Sequence, residues 1–212
     1  MSKNDEIYDL IVDRLINAHY AFGERLFVKE LGAETGASRH PIMSALNRLS
    51  AEGFVRIVPQ VGCEVINPSR DEIADFFMLF QRTEGVLAEL AALRRTEDDL
   101  LRLNLAQRGL LSLADGRDPS PREYAALNRD FHHAMHLMSH SPLLIRKQRN
   151  NFNMSDFFIT HSVGFTPIIA DGLREHDQII AAIEMQQPDR ARLQAEAHIA
   201  AVASSVLANL DE

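Results

Sequence analysis

The 212-residue sequence predicts a mainly α-helical protein in which three short helices closed by a β-hairpin precede an all-helical bundle. Three observations predict it. Strand-like composition is confined to one apolar run with a turn, Phe54 to Ile66. Beyond Asn67-Pro68-Ser69 the hydrophobic periodicity is helical throughout, with prolines at most of the expected helix starts, where first turns accept them. Finally, Asn128, His132, His176 and His198 recur at spacings that a helical bundle would bring together.

The first elements are legible one by one. Val28 to Thr35 reads as a short helix that Gly36 can stop in the left-handed region, and Ser38 can cap the next helix. Pro41 is tolerated there because it lies in the first turn, while Ala45, Leu46 and Leu49 form a stripe to bury. Ser38-Arg39-His40 would then face outward. A helix, a tight turn, a second helix and a β-hairpin make the arrangement of a winged helix-turn-helix. In such modules the second helix leads into the DNA major groove with its amino-terminal residues, which places Arg39 within reach of a guanine edge or a phosphate. The same pattern also fits a small helical cap with a two-stranded ribbon and no nucleic acid.

Ser69 reads as the N-cap of a long helix, with Asp71 and Glu72 in its first turn, continuing to about Arg94. Further helices are expected at about Thr96–Asp115, Pro121–Ser139, Pro142–Thr160, Pro167–Gln187 and Pro188–Leu210. The domain division is therefore 1–66, a linker at 67–69, and 70–212.

Composition narrows the function classes. A hydrophobic content of 46% supports a proper core, and no apolar run approaches the ~20 residues of a membrane helix. Met1 to Asp13 is polar and acidic rather than signal-like, so a cytoplasmic location away from membranes is expected. The lone Cys63 excludes an intramolecular disulfide. The net charge is −8; residues 1–66 carry seven Lys or Arg against nine Asp or Glu, and the remainder 15 against 21. Any DNA contact must come from a local cluster rather than a basic domain.

The histidines carry the second signal. Asn128 and His132, four apart, share a helix face. His176 and His198 each lie 11 residues from Gln187, beside the helix-breaking Pro188, so in an antiparallel hairpin both sit roughly 16 Å from the turn. Three imidazoles and an amide oxygen could converge as a metal site. A single histidine on an apolar helix face is ordinarily a satisfied core residue; the symmetric spacing argues against that for the set. His133, His136, His140 and His161 are also nearby in sequence, and His132 with His136 makes a competing pair. Three neutral imidazoles suit a divalent transition metal, Zn²⁺ or Ni²⁺, better than Mg²⁺ or Ca²⁺. Coordination positions would remain open for water or a ligand carboxylate.

A metal-dependent hydrolase would use such a site to activate water. The sequence has no His-Glu-x-x-His run, and Glu175 projects about 100° away from its neighbour His176. A metal-stabilised helical interaction protein is the other alternative.

Gly23-Glu24-Arg25-Leu26, the run Leu31-Gly32-Ala33-Glu34-Thr35-Gly36-Ala37-Ser38-Arg39-His40-Pro41-Ile42-Met43-Ser44-Ala45-Leu46, and Leu49-x-x-Glu52-Gly53-Phe54-Val55 resemble the winged-helix domain of GntR-superfamily transcription regulators. Arg82-Thr83-Glu84, Asn128-Arg129-Asp130-Phe131-His132, Glu175-His176-Asp177-Gln178 and Ala197-His198-Ile199 resemble the FCD ligand domain of the FadR branch. The resemblance implies a homodimer on double-stranded operator DNA, with affinity set by a small-molecule effector, often an organic acid, in the helical domain. It implies DNA contacts from Arg25, Ser38, Arg39, His40, Met43 and the wing glycine Gly62. It also implies a metal on Asn128, His132, His176 and His198, with Arg82 pairing an effector carboxylate; an ordinary helix ion pair with Glu84 or Glu89, or a solvated arginine, is the alternative for Arg82. Arg146, Arg149 and Asn153 are expected on a helix facing the pocket. Two departures stand out: Met43 replaces a usual second arginine of the recognition helix, where it can touch a thymine methyl or simply pack, and Asn128 replaces a usual aspartate, costing the site a negative charge, so that the metal is either held more weakly or absent and replaced by direct contacts to the ligand.

Overall fold

The computed structural model describes residues 3–58, 62–114 and 120–210. The amino-terminal part runs α1 (Lys3–Ile16), β1 (Arg25–Leu26), α2 (Val28–Thr35), α3 (Arg39–Ala51), β2 (Val55–Val58) and β3 (Gly62–Val65). β2 and β3 form the expected hairpin, antiparallel with Ile57 opposite Cys63. The structure adds β1 on the other edge of β3, giving a three-stranded sheet in the order β1-β3-β2. Two residues carry no readable periodicity, which is why composition did not reveal that strand.

Local chemistry sets the helix ends. Gly36 closes α2 with φ 63°, a conformation in which a Cβ would be strained. Ser38 occupies the N-cap of α3, but its side chain makes no cap hydrogen bond, so the expected cap is one of position only. α3 buries Ile42, Ala45, Leu46 and Leu49 and packs on α1.

Beyond the short linker after β3 the described elements are all helical: α4 (Arg70–Arg94), α5 (Glu97–Ala114), α6 (Pro121–Met138), α7 (Pro142–Thr160), a 3₁₀ turn at Thr166–Ile168, α8 (Ile169–Glu184) and α9 (Pro188–Ala208). Ser69 and Glu72 form a reciprocal capping box at the start of α4. The helix expected from Pro167 opens instead with the 3₁₀ turn, and it stops at Glu184 because Gln186 takes φ 50° in the turn to α9. Asp115, the expected end of the α5 helix, lies outside the described residues. α4 and α9 run closely together, and Gly85 permits the approach: a Cβ there would come 2.7 Å from Cγ of Glu196.

α7 joins the two parts. Its Phe157 packs edge-on against Phe54 and Phe22, with ring centroids 5.8 and 5.3 Å apart, while Phe158 meets Phe76 of α4 at 5.3 Å. Asn150 donates to the carbonyl of Glu52 at 3.2 Å, and His161 Nε2 lies 2.8 Å from the carbonyl of Tyr20. Among the described residues, no helix is long and apolar enough to cross a membrane.

Candidate functional site

At the amino-terminal face, Ser38, Arg39 and His40 stand exposed at the start of α3, and Arg25 is exposed on β1 opposite Glu64. Gly62 opens β3 at φ 133°, a backbone that glycine adopts readily. The three residues before it lie outside the described residues. Met43, also on α3, is partly buried and packs on the core with part of its surface still open.

Inside the helical part, α6, α8 and α9 bring His132, His176 and His198 together. Their ring centroids lie 4.9 to 5.3 Å apart, and one ring nitrogen from each is within 4.8 Å of the others. Partners on the far side of each ring fix its orientation. His132 Nδ1 donates to Glu84 Oε2 at 3.1 Å, His198 Nδ1 to Glu175 Oε2 at 2.7 Å, and His176 Nδ1 to Gln107 Oε1 at 3.3 Å. The Gln107 amide cannot be reversed without loss, because its nitrogen donates to the Leu173 carbonyl and to Asp177 Oδ1. With every Nδ1 engaged, the Nε2 atoms are left as ligand atoms. Nε2 of His176 and Oδ1 of Asn128 are buried without a hydrogen-bond partner among the described residues. Buried polar atoms are rarely left unsatisfied, so this orphaned pair beside the converging rings fits a metal ion.

Burial pushes the His132 imidazole down to about 4 against the pull of Glu84, and His176 is also held well below the ordinary histidine value. Both rings are thereby kept in the neutral form that metal ligation needs. Glu84 is the hub behind them: besides His132, His136 Nε2 donates to it at 2.5 Å and Gln148 Nε2 at 2.7 Å. Burial opposes its ionisation, yet the adjoining His136 and His132 outweigh this and hold the carboxyl below the usual carboxylate range. His132 and His136 do meet, on Glu84, through Nδ1 and Nε2 respectively, and with Glu84 they form a second group whose ligand atoms lie within 4.8 Å of one another; His132 belongs to both groups.

A cavity of about 90 Å³ opens beside Asn128, His132 and His198, between Asp156, Asp171 and Glu175. One expectation is corrected here. Arg82 is not at the cavity: its side chain is exposed and ion-paired with Glu196 of α9. Phe80 and Glu84 face inward, and a residue two positions from each points about 160° away around the helix. The helix of Arg146, Arg149 and Asn153 does face the cavity, as expected, but α7 presents Phe152, Ser155, Asp156 and Ile159 to it rather than those three side chains.

Asp156 is a wall residue that pattern reading passed over. It is 1% exposed, Oδ2 accepts from Arg129 Nη1 at 2.5 Å, and Oδ1 has no partner among the described residues. Burial raises its carboxyl from 3.8 to about 6 despite Arg129. A raised carboxyl contributes stability below its unfolded pKa and loses it as pH rises through the folded value. Urea melts between roughly pH 4 and pH 8 should therefore show the wild type losing about 1–3 kcal/mol more than Asp156→Asn. Parallel curves would contradict this.

The family model of bacterial regulatory proteins, gntR family, matches residues 3–65, and that of the FCD domain matches residues 77–201. The Uxu operon transcriptional regulator of Escherichia coli (strain K12) is 26% identical over 98% of this chain and 88% of its own length. The Nta operon transcriptional regulator of Aminobacter aminovorans is 27% identical over 64% of this chain, a match that spans 63% of that protein. The structure of E. coli McbR/YncC shares the fold with a TM-score of 0.81, at 18% identity over 97% of each chain. A GntR regulator from Rhodococcus sp. RHA1 does so at 0.80 and 15% identity over the whole of both chains. The chain belongs to the GntR family of bacterial regulatory proteins, with an FCD domain as its helical part, and is a transcription regulator rather than an enzyme.

Proposed function

We propose that this regulator is a cytoplasmic homodimer whose operator affinity is set by a small organic acid bound beside a metal ion in the FCD cavity. The observation that carries it is the ring set: three imidazoles anchored at Nδ1, with a ring nitrogen of each within 4.8 Å of the others, beside a cavity lined by the orphaned Asn128. His132, His176, His198 and Asn128 would hold Zn²⁺ or Ni²⁺. A bound ion would supply positive charge and open coordination positions for a ligand carboxylate.

DNA contact is assigned to Ser38, Arg39, His40 and Met43 at the start of α3, with Arg25 and Gly62 beside the wing. Pairing of two copies is supported by Leu79, Val86 and Leu93, which recur every seven residues along α4 and are 60%, 44% and 55% exposed. α7 is the route of coupling. Ser155 and Asp156 line the cavity, while the adjacent Phe157 touches Phe54 and Phe22 and Asn150 holds the Glu52 carbonyl. A ligand that favours one position of α7 would bias how the winged helix is held, a population shift worth about 1–3 kcal/mol in typical cases.

Arg39→Ala tests the DNA assignment. In fluorescence anisotropy on a duplex from the gene's own upstream region, it should weaken binding by about 1–3 kcal/mol. Unchanged affinity would remove Arg39 from the interface.

A further inference from the structure

The cavity wall carries a charge pattern that an organic acid alone does not explain. Asp156, Asp171 and Glu175 line it, and no Lys or Arg is among its described lining residues. A carboxylate entering this space meets three like charges and finds its counter-charge only at the histidine cluster. Its other end must face the acidic wall. Glu175 is already engaged by His198 Nδ1, and Asp171 by Arg174. Asp156 is different: its side chain is almost wholly buried, Arg129 secures one oxygen, and the other has no partner among the described residues. An unpaired buried carboxylate oxygen is costly, and the group that relieves the cost must be a donor, since Oδ1 can only accept when ionised.

We propose that Asp156 is a specificity-determining residue that selects, among small metal-binding carboxylates, those presenting a hydroxyl or ammonium to its Oδ1. This rests on the metal reading above for the carboxylate end. Size supports it: 90 Å³ admits about six to nine water-sized spheres, so the ligand has only a few heavy atoms. A short acid with a donor at the end remote from its carboxylate fits both the wall and the volume. Plain aliphatic acids leave Oδ1 unpaired, and diacids add a further negative charge against it. Arg129 and Arg122 serve elsewhere: Arg129 holds Oδ2, and Arg122 pairs with Asp13 of α1, so neither supplies the missing donor.

The test uses the full chain loaded with Zn²⁺ or Ni²⁺, its metal content measured, and three acids of one carbon skeleton: propionate, 3-hydroxypropionate and β-alanine. They differ only in the group at the far carbon. By calorimetric titration, at least one of the two donor-bearing acids should bind about tenfold or more tighter than propionate, the gain expected of a hydrogen bond to a charged group. Asp156→Ala, with metal content unchanged, should bind all three alike. Asp156→Asn, whose one amide oxygen would stay with Arg129 and turn the NH2 to the cavity, should lose the preference for β-alanine, whereas a hydroxyl can still accept from that NH2 and keep part of the 3-hydroxypropionate preference. Equal binding of all three by the wild type would overturn the proposal. So would a preference that survives in Asp156→Ala, because it would then come from chelation of the metal. Failure of the wild type to take up metal would instead count against the histidine site, and it would be seen in the metal analysis before any acid is added.

Discussion

Glu84→Ala is expected to lower the unfolding free energy by about 3–5 kcal/mol, the range for removing one partner from a buried charged network. Glu84 is fully buried and accepts from His132, His136 and Gln148, two of them through the same oxygen. Alanine would leave three buried donors without an acceptor and a hole where the carboxylate stood. It would also free the His132 ring to turn, so metal affinity should fall along with stability. Urea unfolding followed by circular dichroism gives the number, and a loss below about 1 kcal/mol would mean that the histidines find other partners.

Zinc or nickel should stabilise the wild type by about 2.7 kcal/mol when free metal is a hundredfold above its dissociation constant. His198→Ala and His176→Ala should abolish that gain, whereas His136→Ala should keep it. The contrast matters because Glu84, His132 and His136 form a second group able to hold an ion. If His136→Ala abolishes the effect and His198→Ala does not, the ion sits in that second group. Glu175→Gln should weaken metal binding by roughly 10–100-fold without removing a ligand, as expected for a residue that orients a ligand histidine.

Much of this was legible from spacing. Eleven residues on either side of Gln187 placed His176 and His198 level in the α8–α9 hairpin, and Gly36 marked the end of α2. What escaped was decided by pairing across elements. β1 is too short to show alternation, and it exists because β3 offers it an edge. Gln107, Glu175 and Glu84 orient the histidines from three other helical positions, and polar residues inside helices look alike whether they face solvent or a ring. Glu175 is instructive: it does point away from His176, as helix geometry requires, and that direction carries it to His198 across the hairpin. Arg82 could have been placed from sequence, since the inward stripe of Phe77, Phe80, Glu84 and Ala88 leaves it on the outer face of α4. The plain alternative of an ordinary ion pair is what the structure shows, with Glu196 of α9 as the partner.

The most direct measurement is fluorescence anisotropy of the purified full chain on a duplex from its own upstream region, against a scrambled duplex, across a salt series. Binding to the native duplex should be tighter by about a thousandfold or more and should fall steeply with salt as phosphate contacts release counterions. Equal, weak binding to both duplexes at every salt concentration would contradict a sequence-specific regulator acting at that site.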